Sequence, residues 1–104
     1  MGDDRLEVLR KMLKRRPEDA RLRFGLAVEL LKEERLEEGV QELRAYLDAA
    51  DDEGNAWGRL GEALRALGRE EEAREAYRTG VEAARRHGHP TMAEEFEEIL
   101  SSWG

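Results

Sequence analysis

Residues 56–84 read AWGRLGEALRALGREEEAREAYRTGVEAA, and this stretch predicts two short helices joined by a tight turn. In its first half, Leu60, Leu64 and Leu67 recur at three- and four-residue steps, so they share one helical face. Gly68 follows them, and glycine commonly ends a helix in the left-handed conformation. In the second half, small and apolar residues repeat at the same period behind three glutamates at 70–72, where the helix macrodipole favours negative charge. The stretch therefore predicts a helical hairpin.

The hairpin resembles one tetratricopeptide repeat (TPR), whose pattern W-x-x-L-G-x-x-Y…A-x-x-x-F…P returns about every 34 residues. The positions that match this pattern are Trp57, Leu60, Gly61, Leu64, Ala73 and Tyr77, with Gly80 at the next small position. Arg85 stands where the family often carries proline. The resemblance implies an all-α, TPR-like right-handed helical solenoid that binds other proteins.

A second copy of the pattern lies upstream, because residues 20–53 shifted by 34 fall on residues 54–87. The aligned pairs are Leu26 with Leu60, Ala27 with Gly61, Leu30 with Leu64 and Gly39 with Ala73. The departures are Arg23 in place of Trp57, Glu34 in place of Gly68, and Tyr46 at a site that normally holds a small residue. We therefore predict two helix-turn-helix repeats, at 20–53 and 54–87.

The segments on either side of the repeats predict capping helices. Residues 3–16 carry Leu6, Leu9, Met12 and Leu13 on one face and are followed by Pro17, as expected for the second helix of a half repeat. Residues 91–102 form an apolar face of their own, but Glu95 stands where a third repeat needs a small residue. We predict a single TPR domain over residues 1–104 whose terminal helices shield the ends of the stack.

The composition of the chain argues against several classes of partner. The chain has 104 residues, no cysteine, 41% charged residues and a net charge of −7. Nucleic acid is disfavoured as a partner, because such binding gains most of its affinity from neutralising phosphates. The sequence has neither a signal-peptide pattern nor an apolar run of membrane-spanning length. We therefore expect a cytoplasmic protein with no membrane contact.

The charge is unevenly distributed along the chain. Residues 1–23 hold eight basic and five acidic residues, a net of +3, whereas residues 91–104 hold four acidic residues and no basic one, a net of −4. The basic run comprises Arg10, Lys11, Lys14, Arg15 and Arg16. It can contact an acidic partner, but a solvated helix end with cations suited to the macrodipole is the favoured interpretation.

In the TPR family, fixed positions on the first helix of each repeat line a concave groove that holds peptides. The resemblance assigns this role to Arg21, Phe24, Val28, Leu31 and Lys32 in the first repeat and to Asn55, Gly58, Glu62, Arg65 and Ala66 in the second. Phe24, Val28 and Leu31 form an apolar strip separate from the buried leucines of their helix. We expect Gly58 to leave room for a ligand side chain, and Arg21 or Arg65 to meet a carboxylate.

Three occupants of the apolar strip stay open at this point: a peptide of a partner protein, a second copy in a homodimer, or the first helix of the chain itself. The leading hypothesis is a non-catalytic adaptor that binds a protein or peptide in the groove. The alternative is a homo-oligomeric structural protein that uses the strip or the C-terminal helix. A groove that clamps acidic C-termini is disfavoured, since Phe24 and Val28 replace the lysine and asparagine of that type.

Few residues can support other chemistry. His87 and His89 have a metal-compatible spacing, but with no cysteine or fixed carboxylate nearby they favour helix-end and loop roles. The glutamates at 94, 95, 97 and 98 are expected to form a solvated face rather than an acid/base pair, which requires burial. We therefore expect no catalysis, no metal and no cofactor.

Overall fold

The computed structural model describes residues 2–103, with side chains from Asp4 to Trp103, and its secondary structure is helical throughout. The helices of this range are α1 (Gly2–Arg15), α2 (Ala20–Lys32), α3 (Leu36–Ala49), α4 (Asn55–Ala66), α5 (Glu70–Arg86) and α6 (Pro90–Ser102). They belong to two compact units, Met1–Ala50 with α1 to α3 and Asp51–Gly104 with α4 to α6. Each unit contains one helical hairpin, α2–α3 or α4–α5, and one further helix.

In the first unit α2 is the central helix and packs against both α1 and α3. Leu6 and Leu13 of α1 are buried against Leu26 and Leu30 of α2. On the other side, α3 buries Gly39, Val40 and Leu43. Burying a leucine contributes roughly 1.5–3 kcal/mol, so these contacts dominate the stability of the unit. The leucines predicted on one face of the first helix thus hold it to α2. Met12, predicted on the same face, is 40% exposed, because it is rotated by about 100° around the helix from Leu13.

In the second unit α5 is central and packs against α4 and α6. The ring of Tyr77 lies on the Cβ-free surface of Gly61 in α4. The same ring contacts Phe96 and Trp103 of α6, with centroid distances of 5.6 and 5.9 Å. Tyr77 therefore joins all three helices of the unit, and aromatic pairs of this kind add about 0.5–1.5 kcal/mol beyond the burial of their area.

Three helices, α2, α4 and α5, end in the same hydrogen-bonded turn. The residue after the C-cap is left-handed in each case: Glu34 with φ 60°, and Gly68 and Gly88 with φ 77°. After Gly68, the N–H of Arg69 donates to the carbonyl of Leu64 at 2.9 Å, which satisfies a carbonyl at the helix end. The turn that Gly68 predicts is present, and Glu34 forms the same turn although a side chain makes this conformation unfavourable.

The N-terminus of α4 is stabilised by Asp52, a residue that the periodicity did not single out. Its buried carboxylate accepts hydrogen bonds from the backbone N–H groups of Gly54 at 2.8 Å and Ala56 at 2.9 Å. A negative charge at this end of a helix also interacts favourably with the macrodipole. The segment that precedes α4 is therefore held to the helix by one side chain.

We expect Glu34→Gly to raise the free energy of unfolding by about 0.5–1 kcal/mol, because glycine removes the cost of a left-handed side chain. The matched control is Glu33→Gly, one residue earlier, where φ is −83° and glycine only adds chain entropy to the unfolded state. Urea denaturation followed by circular dichroism compares the two variants. Equal effects from both substitutions would contradict the strain argument.

Candidate functional site

The five residues assigned to the groove in the first unit all lie on α2. Arg21 and Lys32 are exposed, while Phe24, Val28 and Leu31 are half-buried. None of the five belongs to the leucine cluster between α1 and α2. The apolar strip (Phe24, Val28 and Leu31) is thus separate from that core and retains partial access to solvent.

Residues of α3 pack against the buried side of the apolar strip. The rings of Phe24 and Tyr46 have centroids 5.0 Å apart with planes tilted by 44°. Leu31 lies over Gly39, where a Cβ would come within 2.6 Å of the Leu31 Cδ2. At these two positions the intramolecular contacts come from α3, whereas the sequence alone favours the first helix as the cover. Tyr46 is the residue that sequence reasoning missed, and its unusual bulk at a small-residue site was the available signal.

The cations of this surface are not engaged by the described residues. Arg21 and Lys32 form no ion pair with any side chain from Asp4 to Trp103. Their neighbour Arg23, by contrast, pairs with Glu42 of α3 at 2.7 Å and donates to the carbonyl of Pro17. Two charges without partners therefore accompany the apolar strip.

In the second unit, three of the assigned residues line a groove of about 400 Å³. Asn55, Gly58 and Glu62 form the α4 side of this groove, and Phe96 and Ile99 are among the residues of its α6 side. The room expected beside Gly58 is not free, because a Cβ there would lie 2.7 Å from the Cζ of Phe96. The chain's own aromatic ring occupies that space, so the expectation of a ligand pocket at Gly58 itself is wrong.

Tyr77 forms part of the floor of this groove. Burial raises the pKa of its hydroxyl, the negative charge of Glu62 raises it further, and the positive charge of Arg65 partly opposes both effects. The hydroxyl consequently stays protonated over the physiological range and can act as a neutral hydrogen-bond donor or acceptor.

Of the two remaining assigned residues, Ala66 is exposed and Arg65 lies over the ring of Trp103. Its guanidinium carbon is 4.2 Å from the ring centroid, and that of Arg74 is 5.2 Å away. Cation–π contacts at exposed sites contribute about 0.5–1 kcal/mol, so Trp103 orients the guanidinium without neutralising it. Arg65 forms no ion pair with the described residues and keeps its edge available for a carboxylate. The contact between Trp103 and Arg65 joins residues far apart in the chain, and the sequence analysis did not predict it.

The two histidines pair with carboxylates of the segment before α4. His87 Nε2 lies 3.1 Å from Asp51, and His89 Nε2 contacts Glu53. The hydrogen bond from Arg86 and then the nearby imidazole of His87 lower the pKa of Asp51, and the contact with His89 lowers the pKa of Glu53. No group of three or more His, Cys, Asp or Glu side chains in the described residues could hold a metal ion.

A family model described as "Tetratricopeptide repeat" matches residues 2–84. The chain belongs to the tetratricopeptide repeat family. Protein BPP2914 from Bordetella parapertussis, known from a solution structure, is similar to this TPR chain with 30% identity and a TM-score of 0.79. The similarity covers 93% of this chain and 84% of that one. No curated protein sequence matches the chain significantly.

Family membership gives the chain its general role. TPR domains generally bind proteins or peptides and typically do so without catalysis, so this chain is a protein–protein interaction module built as a TPR-like helical repeat. In the described part of the chain, every helix is too short or too polar to cross a membrane.

The contact of Phe96 with Gly58 predicts opposite effects at two helical glycines. We expect Gly58→Ala to lower the free energy of unfolding by about 1–3 kcal/mol, since the new methyl group overlaps the ring. The control, Gly25→Ala, meets nothing closer than 3.8 Å and should raise stability by about 0.5–1 kcal/mol. Chemical denaturation of both variants provides the measurement. Stabilisation by Gly58→Ala would show that the ring does not occupy this space.

A second prediction concerns the pH dependence of stability. Because the pKa of Asp51 is lowered by folding, its contribution is present above the ordinary value of 3.8 and disappears as the pH falls through the lower folded-state value. We therefore expect Asp51→Asn to lower the melting temperature at neutral pH, with no difference from the parent chain in strong acid. Asp48→Asn, at an exposed aspartate of α3, is the control. A difference that persists unchanged into strong acid would rule out the carboxylate as its source.

Proposed function

We propose that this TPR module binds a peptide segment that combines apolar and acidic side chains. The observation that carries the proposal is the half-buried apolar strip of α2, accompanied by Arg21 and Lys32, which form no ion pair with the side chains that the structure describes. Apolar contact supplies most of the affinity in such surfaces, and aromatic anchors such as Phe24 are frequent hot spots. The two cations select for carboxylates in the same ligand.

The strip is suited to hold a ligand because its support is fixed. Phe24 rests on Tyr46, and Leu31 rests on Gly39, so neither side chain has to order itself on binding. A preorganised surface avoids about 0.5–1.5 kcal/mol of ordering cost for each side chain that would otherwise be immobilised. Val28 has the same partial exposure and completes the strip.

The groove of the second unit supports the same function with a more polar surface. Asn55 and Glu62 offer hydrogen-bonding groups, and Arg65 offers a cation held by Trp103. Phe96 fills the site at Gly58 and supplies an apolar surface there in place of a cavity. We propose that this groove, considered by itself, binds polar peptide segments.

Self-association through the apolar strip is the competing hypothesis. Light scattering across a wide range of protein concentration separates the two, because only a dimer gives a concentration-dependent mass and melting temperature. A parent chain that dimerises, together with a monomeric Phe24→Glu variant, would assign the strip to a homodimer.

We expect Val28→Glu to weaken peptide binding at least about tenfold, because it places a charge in an apolar contact and repels an acidic ligand. The probe is a peptide selected from a random library on the parent chain and measured by fluorescence polarisation. Val28 is partly exposed on α2 and lies outside the leucine cluster between α1 and α2, so the melting temperature should change little. Gln41→Glu, which adds the same charge at an exposed site of α3, should bind as the parent chain does.

Two results would contradict the proposal. One is unchanged affinity of the selected peptide for Val28→Glu, which would move the binding site away from the strip. The other is the selection of basic rather than acidic peptides, which would exclude Arg21 and Lys32 as ligand contacts.

A further inference from the structure

The outward face of α1 carries two large hydrophobic side chains that are exposed to solvent. Val8 and Met12, at 55% and 40% exposure, are the large hydrophobic residues that the described part of the chain leaves open to solvent. Helical periodicity places Lys11 and Arg15 on the same face, opposite the buried Leu6 and Leu13. The exposed carboxylate of Asp4 lies one turn before Val8 on the same side. From Val8 onward, this outward face of α1 (Val8, Lys11, Met12 and Arg15) is both apolar and basic.

The cations of this face have no partners in their own unit. Lys11 and Arg15 form no ion pair with the described side chains. Two other arginines of the same helix do, since Arg5 pairs with Glu29 at 3.0 Å and Arg10 pairs with Glu38 at 2.9 Å. The positive charge of α1 is therefore neutralised on the inward side and left open on the outward side.

The outward face of α6 has the opposite charge. Glu94, Glu95 and Glu98 are exposed and form no ion pair with the described residues, whereas Glu97 pairs with Arg85 at 2.6 Å. Glu95 and Glu98 border a surface depression that the half-buried Ile99 also lines. This outward face of α6 (Glu94, Glu95, Glu98 and Ile99) is thus acidic with one apolar element.

We propose that the outward face of α1 binds the outward face of α6 of a second copy of this chain. A second copy fits this face because the two ends of the chain have opposite charge. Residues 1–23 carry a net +3 from eight basic and five acidic residues, and residues 91–104 carry four acidic residues and no basic one. Lys11 and Arg15 are four residues apart, as are Glu94 and Glu98, so both pairs have Cβ spacings of about 6 Å.

The apolar groups complete the contact. Met12 lies between Lys11 and Arg15 in the sequence and is flexible enough to fill the depression beside Ile99. Pairing also removes the repulsion between Glu94 and Glu98, which are like charges one turn apart on the same helix. Exposed ion pairs are individually weak and screened by salt, so the association is weak and strongest at low ionic strength.

This contact joins two different surfaces. Each copy carries one outward face of α1 and one outward face of α6. Copies can therefore join head to tail, either in a closed ring or in an open chain. The contact does not use the apolar strip of α2, so the inference does not rest on peptide binding there. Glu95 and Ile99 also line the groove beside Phe96, so a second copy bound to α6 would compete with a ligand in that groove.

The test uses two charge-reversed variants of the full chain. The first is Lys11→Glu with Arg15→Glu, and the second is Glu94→Lys with Glu98→Lys. Sedimentation velocity at low salt should show association of the parent chain, and at least a roughly tenfold weaker association of each variant alone. An equimolar mixture of the two should associate again, because each reversed face then meets its complement.

The control carries the same change in net charge as the first variant, as Arg44→Glu with Arg78→Glu on the exposed surfaces of α3 and α5. This control should associate as the parent chain does. Loss of association in the control would instead assign the effect to net charge alone. A parent chain that stays monomeric at low salt, or a mixture that fails to associate, overturns the inference. Circular dichroism of each variant confirms that it is folded, so loss of association cannot be attributed to unfolding.

Discussion

Both hairpins depend on one steric constraint, the close approach of two helices where one of them has no side chain. In the second unit Gly61 of α4 accepts the ring of Tyr77, and a Cβ there would come within 2.7 Å of it. In the first unit the arrangement is reversed, since Gly39 of α3 accepts Leu31 of α2. Interiors are packed too densely to absorb such an overlap without strain. The glycine therefore sets the distance between the helices, and the large side chain packed on it determines which further side chains can contact that position.

This constraint also shapes the surfaces. Since Tyr77 fills the α4–α5 seam, the aromatic side chains of α6 stack on it, and Phe96 comes to rest on Gly58. In the first unit the seam is filled by Leu31, which stays half-exposed at the edge of α2. One unit thus closes its apolar seam with its third helix, and the other leaves part of it open beside Phe24. The two units differ because the large side chain is Tyr77 of the central helix α5 in one and Leu31 at the edge of α2 in the other.

The charged side chains include two groups, those that form ion pairs within a unit and those on the outward faces of α1 and α6. Ion pairs hold the inward side of α1, and others join the ends of α5 to the segment before α4, including Arg86 with Asp51. The outward faces of the first and last helices keep charges of opposite sign without partners among the described residues. Individual exposed pairs contribute little to stability, so this pattern matters for association more than for folding.

The sequence by itself determined the helices, the turn at Gly68 and the family, because apolar periodicity and glycine chemistry are local properties that a short window contains. It also placed the candidate groove residues on α2 and α4 through the spacing of the repeat. Only the tertiary structure decided that Tyr46 supports Phe24, that Phe96 occupies the space at Gly58, and that Trp103 holds Arg65. These contacts join residues far apart in the chain, and their geometry depends on how each helix rotates to bury its largest side chains. A spacing rule fixes which face a residue lies on, but not which side chain from another helix will reach it.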